Sequence, residues 1–397
     1  MPLTVRLLAE AVAVLGVLGS LCFCMLAACA LVNFLRDRRE KICPQEQNRI
    51  GGNWPPVSIL KPLKGVDRKI IDCFRSHAEQ NYPEFELIFG VSDPADPACD
   101  AVRTLQKLYP DRRIKLVVCE RILGANIKVS NLAQMLPAAA HEILLVNDSD
   151  ILVSPDYLQR VVKPLGDPQV GLVTCLYRAE AAPSLGSRLE ALSIATDFVP
   201  GVLSARLLEK GLRFGLGSTL VLRRGDLASI GGFEAFVDYL ADDYELGRRI
   251  ASAGKQVELS DAVVTTIPPA YTLGEFWQHQ LRWSRTIRDA RRWGYLGLVF
   301  TFALPWSLAA VIAARGATWA WCLFALVYAA RLAVALVTTT AVLHDRQSLR
   351  DIFWLPLRDL LAPLVWAGGL MGNRIHWRGD EFYLKNGQLF RVSAEAR

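Results

Sequence analysis

Hydrophobic residues concentrate at the two ends of the chain, and between them they break into short runs. Ala11 to Leu35 carries no charged residue, and its 25 positions are enough for one helix to cross a bilayer core. Tyr295 to Ala314 is a second uncharged stretch. Gly316 to Leu343 is a third, interrupted only by Arg331, and Ile352 to Met371 a fourth, containing Arg358 and Asp359. The central region reads differently. Strand-like runs at Val57 to Leu60, Phe85 to Val91, Ile114 to Cys119 and Ile143 to Val146 alternate with helical stretches. These are Ile70 to Gln80, Asp100 to Leu108, Asn126 to Met135 and Pro155 to Val162. Short apolar strands alternating with helices predict an α/β unit built on a parallel sheet.

After Val170 the alternation loosens. Val170 to Tyr177 and the glycine-broken Phe214 to Leu222 are strand-like, and Gly231-Gly232-Phe233 makes a turn. Leu185 to Phe198 reads as a helix with Leu189, Leu192 and Ile194 on its apolar side. Asp242 to Ser252 reads as an amphipathic helix whose first turn is acidic, which suits the positive end of the helix dipole. Leu273 to Trp293 is a long helix rich in Trp and Arg that leads into the second apolar stretch. No internal repeat or low-complexity tract is present.

Composition agrees with a membrane-attached α/β protein. Hydrophobic residues make up 52% of the 397 positions, too many for an ordinary soluble enzyme, and charged residues 21%, too many for a pure membrane bundle. The first apolar run is longer than a signal-peptide core and lacks a clean small-X-small cleavage site. Arg36-Asp37-Arg38-Arg39-Glu40-Lys41 follows it, and basic residues beside a span place that side in the cytoplasm. Nine cysteines are scattered without metal spacing, as reduced thiols would be. The net charge of +6 is not gathered into an aromatic-interleaved stripe, so an acidic lipid surface fits it better than nucleic acid.

Candidate chemistry lies at the ends of elements. Ile143-Leu144-Leu145-Val146 runs into Asn147-Asp148-Ser149-Asp150. Ligands of open α/β sheets sit outside the carboxyl ends of such strands. Two carboxylates one residue apart at that place suit a hard divalent cation shared with phosphate, although Asp-Ser-Asp is also ordinary turn chemistry. Asp93 closes the second strand, where it could equally start a turn before Pro94. Gly124 to Asn131 is a glycine-to-helix turn carrying Lys128, a donor set able to hold phosphate oxygens. Asp242 and Asp243 open a helix. Farther on comes His279-Gln280-Leu281-Arg282-Trp283, whose Arg and Trp would also serve as an interfacial anchor.

Taken in order, these motifs resemble the ceramide glucosyltransferase family, glycosyltransferase family 21, a GT-A relative of family 2. Its bacterial hopanoid-associated N-acetylglucosaminyltransferase branch is similar as well. The residues that carry the likeness are Ser58 to Gly65, Gly90 to Ala98, Lys128 to Leu132, Asp148 to Asp150, Ala241 to Tyr244 and Leu281 to Trp283. They cover about residues 57–290. The resemblance implies a GT-A, nucleotide-diphospho-sugar-transferase domain of Rossmann-like α/β class at 57–271. Around it would lie an anchor at 8–35, a juxtamembrane linker at 36–56 and an interfacial helix at 272–293. Transmembrane or re-entrant segments at 295–371 and a tail at 372–397 would follow. It implies that Asp93 contacts the nucleoside of a UDP-sugar, beside the Lys128 turn already suited to phosphate, while His279, which departs from the family's motif, can still donate a hydrogen bond to a phosphate. Asp148 and Asp150 would hold Mg²⁺ or Mn²⁺, Asp243 would be the general base, and Arg282 and Trp283 would assist the leaving group. The usual Gln-X-X-Arg-Trp motif has His279 in its first position.

The expected reaction is hexosyl transfer with inversion from UDP-glucose to ceramide. The alternatives are UDP-N-acetylglucosamine to bacteriohopanetetrol, a processive polysaccharide synthase, and a non-catalytic UDP-sugar-binding scaffold. The expected partners are a UDP-sugar, a lipid acceptor and the bilayer, without nucleic acid. The expected location is a bacterial inner membrane, with several passes and a cytosolic catalytic domain.

Overall fold

A computed structural model describes residues 2–41, 54–377 and 379–392. Most of the expected linker, 42–53, and the tail beyond residue 392 lie outside the described residues. The chain forms two units, each assembled from separated stretches. One comprises the residues up to Asp37, Pro183–Leu207 and Ala270–His376, and the other comprises Arg38–Ala182, Leu208–Pro269 and the residues from Trp377 onward.

The second unit is built on an eight-stranded sheet. Its strands are β1 (Val57–Pro62), β2 (Phe85–Val91), β3 (Arg113–Val118), β4 (Ile143–Val146), β5 (Ile151–Leu152), β6 (Val170–Ala179), β7 (Leu220–Arg223) and β8 (Gln256–Thr266). They lie in the order β3-β2-β1-β4-β7-β6-β8-β5. The half made by β1 to β4 is parallel, as the alternating pattern predicts, with Val57 beside both Phe85 and Ile143. Every residue of β1, β2 and β4 is buried, which is why these strands read as continuous apolar runs. The other half departs from a purely parallel sheet: β7 runs antiparallel to both β4 and β6. The 11-residue β8 is absent from the sequence reading. Its pairing with β6 contains register shifts, so polar and apolar positions lose their strict alternation.

The chain leaves β1 toward β2 and β3 on one side, and β4 lies on the other. The crevice outside the carboxyl ends of β1 and β4 is therefore the topological switch point where α/β sheets bind ligands.

This unit ends in a β-hairpin, Asp380–Lys385 with Gln388–Arg391. Lys385 pairs with Gln388, leaving Asn386-Gly387 as a two-residue turn with φ of 53° and 77°. Asn-Gly is the pair best suited to two positive φ values. Phe382, Leu384 and Leu389 are buried.

The first unit is helical. Leu3–Lys41 is a continuous 39-residue helix, and Thr318–Val337 is a 20-residue one. Arg292–Thr301 and Ala303–Ala313 form a pair bent by 53°. Among the described residues three helices are long and apolar enough to cross a membrane: Leu3–Glu40, Leu185–Leu208 and Thr318–Val342. The second of these is longer than the sequence pattern suggests. It passes beyond Phe198 through a π turn at Ile194–Phe198, so Pro200 falls at the start of a new helical stretch, where its missing N–H costs little. Leu355–Leu370, the last apolar segment, has 16 residues with Pro363 inside.

Four charged side chains within these helices are paired with one another. Arg331 bonds Asp359 at 2.8 Å and Asp197 at 3.0 Å, and Arg358 meets Asp197 at 2.9 Å. Arg331 also donates to the Thr196 carbonyl at 2.8 Å, and Arg358 to Ser193. Two cations and two anions close a neutral network, which explains how Arg331, Arg358 and Asp359 can sit in apolar segments. Helix Leu273–Ala290 begins at a capping box in which Thr272 and Glu275 satisfy each other's backbone N–H.

Candidate active site

Asn147, at the end of β4, fixes the direction of the carboxylates that follow. Its side chain donates to the Tyr157 hydroxyl at 3.1 Å and to the Ser218 carbonyl at 2.6 Å, and its Oδ1 meets His77 Nε2 at 3.0 Å. Lys61 on β1 is fully buried and donates to the Asp148 carbonyl at 3.0 Å. Burial holds its amine down at about 8. Burial likewise keeps His77 well below the ordinary imidazole range, so it is neutral beside Lys61. The strand end is thereby locked from below before any ligand arrives.

Four sequence-predicted residues come together above it. Lys128 stands in the first turn of helix Ile127–Met135, which Asn126 caps by accepting from the Val129 N–H. Its ammonium meets Asp148 Oδ1 at 2.8 Å and Asp242 Oδ2 at 3.4 Å. Burial opposes this charge, but Asp148 and Asp242 outweigh it and raise the lysine further. Asp243 begins helix Asp242–Ser252 beside them. Burial and the charge of Asp242 push its carboxyl up to about 6, against the pull of Lys128. Asp150 accepts from Thr266 on β8, and burial together with Asp148 pushes it up to about 6 as well. Gly217, just before β7, separates Asp148 from Asp243. A Cβ there would lie 3.1 Å from Asp243 Oδ2 and 3.7 Å from Asp148 Oδ2. The two carboxylates therefore face one small space, which a side chain at position 217 would narrow.

Among the described residues no three His, Cys, Asp or Glu side chains form a metal cage. Asp148 and Asp150 nonetheless fit an ion that draws its remaining ligands from phosphate. Asp150 is raised first by burial and then by the charge of Asp148, and a cation shared between the two would relieve the second effect.

Asp93 follows β2, is exposed, and accepts from the Ala95 N–H at 2.8 Å, which organises its own turn. The neighbouring Ser92 donates to Asn131 of the lysine-bearing helix at 2.9 Å.

The Arg-Trp motif lies in the helical unit. His279 packs between Tyr271 and Trp283, with ring centroids 5.3 Å and 5.4 Å away, and Trp283 also meets Phe198 at 5.7 Å. Glu190, buried on helix Leu185–Ser193, accepts from Gln280 at 2.8 Å and lies 3.2 Å from His279 Nδ1. That contact is ionic in distance but not aligned as a hydrogen bond, so His279 Nδ1 is buried without one.

Reading the chain misses Lys61, Asn147 and Gly217 around the carboxylates of the sheet unit, and Glu190 beside the Arg-Trp motif of the helical unit. A buried glutamate in a helix has no local signature. Lys61, by contrast, sits inside an apolar strand, an anomaly that sequence alone displays.

The mixed α/β sheet, with its parallel half and switch-point crevice, resembles the GT-A glycosyltransferases. The family model for Glycosyl transferase family 21 matches residues 17–390, and the chain belongs to that family. It is 22% identical over 358 residues to ceramide glucosyltransferase 1 of Caenorhabditis elegans, covering 86% of this chain and 74% of that protein. Ceramide glucosyltransferase 3 of the same organism is 25% identical over 346 residues, covering 83% of this chain and 73% of that protein. An N-acetylglucosaminyltransferase of Rhizobium leguminosarum bv. viciae is 25% identical over 252 residues, covering 59% of this chain and 56% of that protein. Among solved structures, a mannosyltransferase from Pyrobaculum calidifontis aligns at a TM-score of 0.48 and 20% identity, over 91% of this chain and 99% of that one.

Proposed function

We propose that this chain transfers glucose from UDP-glucose to the hydroxyl of ceramide, with inversion at the anomeric carbon. The observation that carries the reading is the cluster of Asp148, Asp150, Asp243 and Lys128 at the switch point. It occurs in a chain whose described residues include three helices long and apolar enough to cross a membrane. The ceramide glucosyltransferases among its relatives support the acceptor.

Asp148 and Asp150 would hold Mg²⁺ or Mn²⁺, which when bound neutralises charge on the departing diphosphate. Lys128 holds Asp148 and Asp242 in place and adds positive charge where phosphate oxygens arrive. Asp243 accepts the proton of the attacking hydroxyl. Its raised affinity makes it a stronger base than a surface aspartate while leaving it mainly ionised at pH 7. One displacement by that hydroxyl breaks the bond from sugar to diphosphate and inverts the centre. Arg282, Trp283 and His279 are assigned to the leaving group by their motif. The helix that carries them is the proposed interfacial segment, and the sheet unit is the proposed cytosolic face.

A second reading is N-acetylglucosamine transfer to a hopanoid polyol: the Rhizobium relative supports the sugar, and the hopanoid acceptor rests on the resemblance of the motifs alone. Membranes containing the protein, given labelled UDP-glucose or UDP-N-acetylglucosamine with ceramide or bacteriohopanetetrol, decide between them. Labelled glucosylceramide is expected. Label only in the hopanoid would establish the second reading, and label in neither lipid would reject both.

A further inference from the structure

The chain's last described segment walls a cleft at the carboxyl end of β1. Lys64, Lys128 and Asn131 line it together with Trp377, Asp380 and Phe382. Trp377 is half-buried, with Phe382 fully buried behind it at a centroid distance of 6.5 Å. Lys64 and Asp380 approach to 3.8 Å across the rim.

The hairpin is bonded into the site rather than loosely appended. Leu240 N–H donates to the Gly387 carbonyl at 3.0 Å, and Leu389 N–H to the Asp238 carbonyl at 2.7 Å. The same 237–240 segment receives the Asn126 N–H at the Val237 carbonyl, the Ala125 N–H at Asp238 and the Asn126 amide at the Tyr239 carbonyl. It then leads directly into Asp242 and Asp243. One hydrogen-bonded strip thus joins the hairpin, the lysine-bearing helix and the acidic helix.

Strand order indicates which part of a donor would lie here. Asp148 follows β4, and Gly217 with Asp243 lies toward β7, so diphosphate and sugar belong on the β4–β7 side. The cleft lies on the β1–β2 side, where Asn131 is tied to Ser92 after β2. A nucleoside diphosphate entering between them would leave its nucleoside against Trp377. An aromatic face takes a planar base by stacking, and Lys64 and Lys128 suit the adjoining ribose-phosphate.

We propose that Trp377, backed by Phe382, forms the stacking wall of the nucleoside subsite, so that residues after the last apolar helix complete the donor site. This rests on the reading of the chain as a UDP-sugar transferase.

The test uses the full-length detergent-solubilised protein with UDP and with pyrophosphate as equilibrium-binding probes. Trp377→Ala should weaken UDP roughly tenfold or more, leave pyrophosphate binding unchanged, and recover in Trp377→Phe. On the unmodified chain, photoattachment of 5-azido-UDP should label the stretch 374–385. If the wild-type protein fails to bind UDP, the donor reading itself is wrong. If it binds UDP but Trp377→Ala binds equally, or loses pyrophosphate in parallel, the stacking wall is overturned. Label confined to other segments overturns it independently of how the variants fold.

Discussion

Asp243 and Asp150 are both raised to about 6 by burial and by neighbouring carboxylates, so the site carries its own acid sensitivity. Asp243 is surrounded by Asp242, Lys128 and Asp148, and Asp150 by Asp148, Thr266 and Asp67. In the roles proposed for them, base for Asp243 and cation ligand for Asp150, each would have to be ionised. Transfer should therefore be full above pH 7 and decline as pH falls through about 6, measured as initial rate across a buffer series. A profile flat down to pH 5 would contradict the assignment. Asp243→Asn should bind UDP as wild type does but lose transfer by roughly 10²–10⁴-fold, the range for removing a general base. Gly217→Ala places a methyl group 3.1 Å from Asp243 Oδ2 and should reduce transfer while leaving the unfolding temperature nearly unchanged. The residue-level pattern was legible where a charge stood against its surroundings, as with Asp148 after four apolar residues. Gly217 was not legible, because its role depends on two carboxylates that are far apart in the sequence.

At the scale of elements, the informative pair is helix Leu185–Ser193 with helix Leu273–Ala290. Glu190 accepts from Gln280 and lies beside His279, inside the motif that ends in Arg282-Trp283. Glu190→Ala leaves Gln280 buried without its acceptor and His279 without its anion. It should lower kcat/KM at least tenfold, whereas Glu190→Gln, which keeps a carbonyl oxygen for Gln280, should retain most of the activity. Equal losses in both variants would show that the charge, and not the Gln280 bond, is what matters. The parallel strands β1 to β4 followed from apolar runs and helical spacing, because burial on both faces removes polar positions. The hairpin at 380–391 escaped notice although Asn386-Gly387 between alternating strands is a strong local signal. β8 escaped because its register shifts blur the period.

For the whole molecule, the neutral network of Arg331, Asp359, Asp197 and Arg358 ties three apolar segments of one unit together. Removing a single member strands its buried partner. Arg331→Leu should destabilise the detergent-solubilised protein by about 3–5 kcal/mol. Arg331→Leu with Asp359→Leu leaves the Asp197–Arg358 pair intact and should recover much of that loss. Thermal unfolding of the three proteins checks it, and a double variant less stable than the single one would refute the pairing. Such a network accounts for Arg358 and Asp359 in an apolar run, since a charge there is tolerated where an opposite charge meets it.

Local composition determined the apolar helices, the parallel half of the sheet and the order of acidic, lysine and Arg-Trp motifs. Burial periodicity and strand-end chemistry act over a few neighbouring residues and so are written in consecutive positions. Tertiary structure decided that Lys128 pairs with Asp148 and Asp242, that Asp150 and Asp243 share a raised proton affinity, and that Glu190 supports His279 and Gln280. It also brought Trp377 to the end of β1, more than three hundred residues earlier in the chain. Those relations depend on distance and dielectric surroundings, and both exist only once the strands and helices have packed.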